Sequence, residues 1–272
     1  MSGNDAAVSC IRIDSSDDAR LAEFRNVPDP ELLRRLGLFV AEGRLVVMRL
    51  LSSGLETRAL LVTDAALAAL QSLLVDRTFP VYVVPQSVMN GVTGFNFHRG
   101  CLAIGVRPPA RDWRDVMDGV RRLVVLERIG NVDNVGSIFR SAAAFGVGGV
   151  LLQADCADPL YRKAIRTSMA ASLTMPYATA PWPDTLWELR DRGWATIAMT
   201  PAADAAALRD VADDLVGRPV AIVLGHEGDG LSADALQACT HRARIPMTND
   251  VDSLNVATAA AIALYEMGSG VI

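Results

Sequence analysis

The sequence predicts an α/β protein in two parts, the second built on a mostly parallel sheet. Three observations predict it. Strand-length apolar runs alternate with helix-length stretches along most of the chain. Paired prolines, Pro108 and Pro109, interrupt that alternation, because proline continues neither a helix nor a central strand. The length, 272 residues, exceeds the roughly 150 of an ordinary domain. The expected division is therefore 1–107 and 108–272.

In the first part the period and length of the apolar pattern give a helix over 43–53, a strand over 58–63 and a helix over 64–74. Strands over 81–84 and 101–106 complete a small α/β domain. In the second part a strand over 123–126 leads to a helix over 134–145 and a strand over 149–152. Strands over 194–199 and 219–224 follow, separated by helix-length segments, and a helix over 253–267 closes the chain. Such βαβ repetition implies parallel strands covered by helices, with ligands bound in loops beyond the strands' carboxyl ends. That rule selects the loops after Leu126, after Leu224 and after Ile245.

Composition excludes several classes. With 51% hydrophobic and 21% charged residues the chain is globular rather than disordered. No apolar run reaches the roughly 18 to 20 residues of a membrane span, and 1–20 is polar and acidic, so no membrane partner and a cytoplasmic location are expected. Cys10, Cys101, Cys156 and Cys239 are scattered without a C-x-x-C pair and only three histidines accompany them, which predicts neither disulfides nor a bound metal. The net charge of −5 argues against a broad nucleic-acid binder, but its distribution is uneven. Residues 1–107 carry 11 basic and 11 acidic side chains, and the remainder 15 and 20. All basic residues but Lys163 are arginine, whose planar fork suits phosphate.

The first selected loop reads Asn131-Val-Asp-Asn134-Val-Gly136-Ser-Ile-Phe-Arg140. Asn134 is expected to cap the helix, with Arg140 in its second turn able to reach an anion. The second reads Leu224-Gly225-His226-Glu227-Gly228-Asp229-Gly230-Leu231-Ser232, where glycines let backbone amides approach a ligand. It lacks both the serine of a nucleophile elbow and the second histidine of a zinc protease. The third, from Ile245 to Ala257, offers an apolar slot from Ile245, Met247 and Leu254 and polar groups from Ser253 and Asn255, the make-up of a small-molecule pocket.

In this order and spacing the three loops resemble the signature motifs of the SpoU (TrmH-like) family of RNA ribose 2′-O-methyltransferases, in the SPOUT superfamily. The likeness runs from about Leu123 to Met267 and includes the stretch from Asp158 through Arg162, Lys163 and Arg166 to Ser168. Phe39-Val-Ala-Glu42-Gly43-Arg44 and the segment 94–100, with His98 and Arg99, are similar to the family's substrate-binding, L30e-like domain. The resemblance implies a trefoil knot, a homodimer whose active sites are completed by the partner chain, S-adenosylmethionine (AdoMet) as cofactor, and structured rRNA or tRNA as substrate. It implies an AdoMet site from Thr200, Leu224, Gly225, Ile245, Met247 and Leu254, and a reaction site from Asn134, Arg140, Glu227, Ser253 and Asn255. Arg34, Arg35, Arg44, His98 and Arg99 are the expected RNA contacts. Departures from the family pattern are Asn249 and Ala170, where glycine is usual, and Ala257, where serine is common.

Two other readings differ in chemistry. One is a catalytically weak or inactive RNA-binding relative of the same fold, which would not bind AdoMet. The other is a nucleotide-dependent oxidoreductase, prompted by Gly146-Val-Gly148-Gly149, although a dinucleotide fingerprint follows a strand rather than a helix.

Overall fold

The computed structural model describes residues 10–25, 28–248 and 253–268. They form two compact units: Met1–Pro109 with Leu160–Leu173, and Ala110–Pro159 with Thr174–Ile272. The segment Leu160–Leu173 thus departs from the expected division, in which it fell to the second part. Specific contacts accompany its attachment to the first unit. The Arg162 backbone N–H and Nε donate to the Asp29 carboxylate at 2.9 and 2.7 Å, and Ala164 and Ile165 are buried.

The first unit runs β1 (Cys10–Arg12), α1 (Asp29–Leu36), β2 (Leu38–Glu42), α2 (Arg44–Ser52), β3 (Thr57–Val62), α3 (Asp64–Leu74), β4 (Val81–Val83), α4 (Gln86–Thr93) and β5 (Cys101–Val106). Its five-stranded sheet has the order β1-β4-β3-β5-β2 and is mixed, with β5 antiparallel to both β2 and β3. The sharp entry into α2 rests on Gly43, at φ +90, a conformation that a side chain resists.

The second unit continues with α5 (Trp113–Met117), β6 (Arg122–Leu126), α6 (Val132–Ala144) and β7 (Gly149–Leu152). After α7 (Arg162–Thr167), which belongs to the first unit, come β8 (Tyr177–Thr179), α8 (Asp184–Asp191), β9 (Ala195–Met199), β10 (Ala206–Ala207), α9 (Leu208–Asp214), β11 (Val220–Leu224), α10 (Ala233–Ala238), β12 (His241–Arg244) and α11 (Val256–Glu266). All seven strands pair in parallel, in the order β10-β12-β9-β11-β6-β7-β8. Side-chain alternation explains why β6 and β11 are apolar throughout. Val124, Leu126, Ile222 and Leu224 face a core shared with α6 and α11, while Leu123, Val125, Ala221 and Val223 face one shared with α5, α8 and α10. No helix among the described residues is long and apolar enough to cross a membrane.

The glycines at the start of β7 have a packing role. A Cβ at Gly148 would lie 2.4 Å from Val120, and one at Gly149 would lie 2.3 Å from Val116. This removes the motive for a dinucleotide fingerprint there. Ala170 sits at φ +65, which accounts for the family's glycine at that position. Ala257 is buried and its N–H donates to Asn255 Oδ1. Asn249 lies outside the described residues.

Burial pushes the thiols of Cys101 and Cys156 up to about 11 and that of Cys239 up to about 12. Each folded pKa lies above its unfolded value, so the native state holds these protons longer than the unfolded state does. The resulting stability is complete below the ordinary thiol pKa and is lost as pH rises towards 11 and 12. Denaturation midpoints should therefore fall progressively on alkaline titration above about pH 9. Iodoacetamide at pH 8 should label exposed Cys10 rapidly and the other three only after unfolding, as read by intact-mass measurement.

Candidate active site

The carboxyl ends of β9, β11 and β12, three neighbouring strands, open into one cavity of about 300 Å³. Its apolar wall comes from Leu224, Ile245, Met247 and Leu254, and Thr200 and Gly225 join it from the strand ends. Glu227, Ser253 and Asn255 line its polar side. The six residues expected around a cofactor therefore share one pocket with three of the five expected at the reaction site. Its volume stands at the lower end of small-molecule sites.

Gly225 is required by the chain itself. A Cβ there would lie 2.5 Å from the carbonyl carbon of Gly230 and the nitrogen of Leu231, and 2.6 Å from the Gly230 oxygen. The loop folds back this tightly because the Gly230 N–H donates to the His226 carbonyl, and His226 Nδ1 accepts from the N–H groups of Gly228 and Asp229 at 3.1 and 3.2 Å. The ring is thus used inside the turn.

A polar chain joins the three loops. Asn134 Nδ2 donates to Glu227 Oε1 at 2.7 Å, and Asn134 Oδ1 accepts from Asn255 Nδ2 at 3.0 Å. Asn255 caps α11, its Oδ1 accepting from the N–H groups of Ala257 and Thr258 at 2.9 and 3.3 Å. Every amide orientation in this chain is fixed by its neighbours. The expectation that Asn134 caps α6 is corrected: Asn131 does so, accepting from the Asp133 N–H at 2.9 Å, while Asn134 is buried in the first turn.

Arg140 stands apart. Six residues beyond Asn134 on α6, it points about 120° away around the helix and about 9 Å along it. It is exposed, does not line the pocket, and makes no hydrogen bond or ion pair among the described residues. Ser253 lines the pocket and is exposed.

Sequence reasoning missed the residues that brace this site. Glu127, directly after β6, is 1% exposed and accepts from Trp182 Nε1 at 3.0 Å and from the Ser232 N–H at 2.9 Å, tying down the loop that begins at Gly225. The only sequence signal is an acid ending a buried strand. Met199, Pro201, Val256 and Ala259 also line the pocket, and the end of the predicted strand 194–199 was the available pointer to the first two.

Of the expected RNA contacts, Arg44, His98 and Arg99 line a second cavity, of about 590 Å³, in the first unit. Arg34 and Arg35 do not. They are exposed in the last turn of α1, where Arg35 pairs with Glu31 at 2.7 Å.

Comparison with known proteins agrees with this architecture. The SpoU rRNA methylase family model matches residues 121–265. An uncharacterized tRNA/rRNA methyltransferase of Mycobacterium tuberculosis (H37Rv) is 43% identical over 255 residues, covering 92% of this chain and 88% of that protein. The crystal structure of an AdoMet-bound rRNA methyltransferase from Sinorhizobium meliloti superposes with a TM-score of 0.85 at 24% identity, over 97% of this chain and 99% of that one. An RNA 2′-O ribose methyltransferase gives 0.77 at 26% identity, over 94% and 98%. Fold, pocket and these likenesses define an RNA methyltransferase. The chain belongs to the SpoU rRNA methylase family, within the SPOUT methyltransferases.

Proposed function

We propose that this protein transfers a methyl group from AdoMet to a ribose 2′-hydroxyl of a structured ribosomal or transfer RNA. The observation that carries the reading is the pocket at the carboxyl ends of β9, β11 and β12, where an apolar slot meets the Glu227–Asn134–Asn255 chain. The slot suits the adenosine and methionine portions of AdoMet, with Thr200, Leu224, Gly225, Ile245, Met247 and Leu254 around them. Ribose specificity is supported by the 2′-O ribose methyltransferase with which the fold superposes.

AdoMet supplies a methyl group already activated by its sulfonium. The residues of this chain have two tasks, to align the ribose oxygen with that methyl and to ease loss of its proton. Glu227, Asn134, Asn255 and Ser253 align. The Arg140 guanidinium stabilises the oxyanion as the hydroxyl proton passes to solvent water. Because Arg140 lies outside its own chain's pocket, the reading includes a homodimer in which this arginine completes the partner's site, and the family's trefoil knot belongs to the same reading. Residues 1–107 select the RNA, and the remainder performs the chemistry.

Calorimetry tests the cofactor half of this proposal. AdoMet should bind at about one site per chain with no metal added. Failure to bind at millimolar AdoMet would instead indicate an RNA-binding relative without catalysis.

A further inference from the structure

The second cavity draws its charged lining from three places in the sequence. Glu42 ends β2, Arg44 opens α2, Arg99 precedes β5, and Arg166 lies on α7, in the segment Leu160–Leu173 that joins the first unit from far along the chain. Arg166 falls in the stretch 158–168, to which the reaction assigns no task.

Three arginines and one glutamate line this cavity, in a protein whose net charge is −5. The carboxylate is largely buried, with its side chain 12% exposed, and it sits between two of them. Arg99 Nη1 and Arg166 Nη1 each lie 3.9 Å from the same oxygen, Glu42 Oε2. That distance is an ion pair but too long for a hydrogen bond, so both forks keep N–H donors for another acceptor. Their Nη1 atoms are at most twice 3.9 Å apart. One phosphate, with hydrogen bonds of about 2.8 Å on either side, bridges such a gap.

The backbone adds to this. α2 begins at Gly43 with no side-chain cap, so the N–H groups of its first turn are left for an outside acceptor. Arg99 is laid over that point, its Cδ 3.2 Å from where a Gly43 Cβ would be. Arg44 has no ion-pair partner among the described residues. The cavity, at about 590 Å³, has room for a nucleotide rather than a lone phosphate.

We propose that Arg166, together with Arg99 and Arg44, grips a backbone phosphate of the substrate RNA in this cleft, with Glu42 spreading the two guanidinium groups to receive it. The proposal rests on the RNA methyltransferase reading and deepens it: substrate recognition is shared between the amino-terminal residues and a segment from the middle of the chain.

The test uses the full chain, with bulk tRNA and purified ribosomal RNA as probes. Binding is measured across a salt series for the parent, Arg166→Gln, Arg99→Gln, Arg166→Lys and, as a charge-loss control, Arg209→Gln on the second unit. Each glutamine variant in the cleft should weaken RNA binding about tenfold and reduce the slope of log K against log salt by about one. Arg166→Lys keeps the charge and loses the fork, so it should keep the slope and lose part of the affinity. Arg209→Gln should match the parent, and AdoMet affinity should be the same in all five proteins. If both glutamine variants keep the parental affinity and slope while the parent methylates RNA, the cleft is not the RNA site and the proposed function still stands. If the parent methylates neither RNA, the functional reading fails on its own, whatever the slopes. Should Arg166→Gln fold poorly, Arg99→Gln, altered at an exposed loop position, decides the outcome alone.

Discussion

Replacing Arg140 by alanine should slow methyl transfer to RNA by about 100- to 1000-fold while leaving AdoMet affinity within about twofold of the parent, the range expected when a preorganised charge is removed from a developing oxyanion. The separation follows from placement. Arg140 is exposed, lines no part of the pocket and takes no part in the hydrogen bonds of the Glu227–Asn134–Asn255 chain, so its loss leaves the cofactor's walls intact. Single-turnover rate and calorimetric affinity, measured on one preparation, give the split. Parallel losses in rate and affinity would mean that α6 had been damaged, and an unchanged rate would remove Arg140 from the reaction. If the partner's site is the one affected, mixing an Arg140→Ala chain with a chain disabled at Gly225 should restore about a quarter of the parental activity at random exchange, since half of the dimers are then mixed and each mixed dimer holds one intact site.

Replacing Gly225 by valine should have the opposite signature, a loss of AdoMet affinity of at least about 100-fold, or about 2.7 kcal/mol. The added carbon meets backbone atoms of Gly230 and Leu231 at 2.5 Å, and backbone cannot rotate away as a side chain would. The turn must open, and the wall formed by Gly225, His226 and Glu227 moves with it. Overpacking of this kind also lowers stability, by about 1 to 3 kcal/mol. Gly217→Ala is the matched control: Gly217 has φ +79 but nothing within 4 Å of its missing Cβ. That variant should lose about 1 kcal/mol from the left-handed backbone alone and bind AdoMet normally. A Gly225→Val protein that bound AdoMet like the parent would place the cofactor elsewhere.

Much of the fold was legible because its signals are local. The helix over 64–74 and the strands over 101–106 and 149–152 coincide with α3, β5 and β7, since composition and period agree over their whole length. The six-residue helices α7 and α10 span fewer than two turns and leave no period to detect. β2 escaped because its partner, β5, lies some sixty residues on, and its antiparallel register is a tertiary fact. The same holds for Leu160–Leu173. The contact that draws it to the first unit joins Arg162 to Asp29, 133 residues apart, and no local pattern records it.

The candidate site shows the same division. The apolar slot was readable, because Leu224, Ile245 and Leu254 end or follow strands of a parallel sheet. The roles of the polar groups were less so. Asn131 and Asn134 are both plausible caps three residues apart, and the choice is made by Glu227, 93 residues from Asn134 in sequence. Likewise Gly225 was read as room for a ligand, whereas the space it leaves is taken by its own loop. Glu127 had no local signature beyond its position, since both of its donors come from distant segments.

The claim at the centre is that the methyl group arrives on a ribose. Incubating the protein with unmethylated ribosomal and transfer RNA and deuterium-labelled AdoMet, then digesting to nucleosides for fragmentation mass spectrometry, locates the label directly. The label should stay with the sugar when the glycosidic bond breaks, and the modified linkage should resist alkali. A label that stays with the base would contradict the proposed chemistry while leaving the family and the fold as they are.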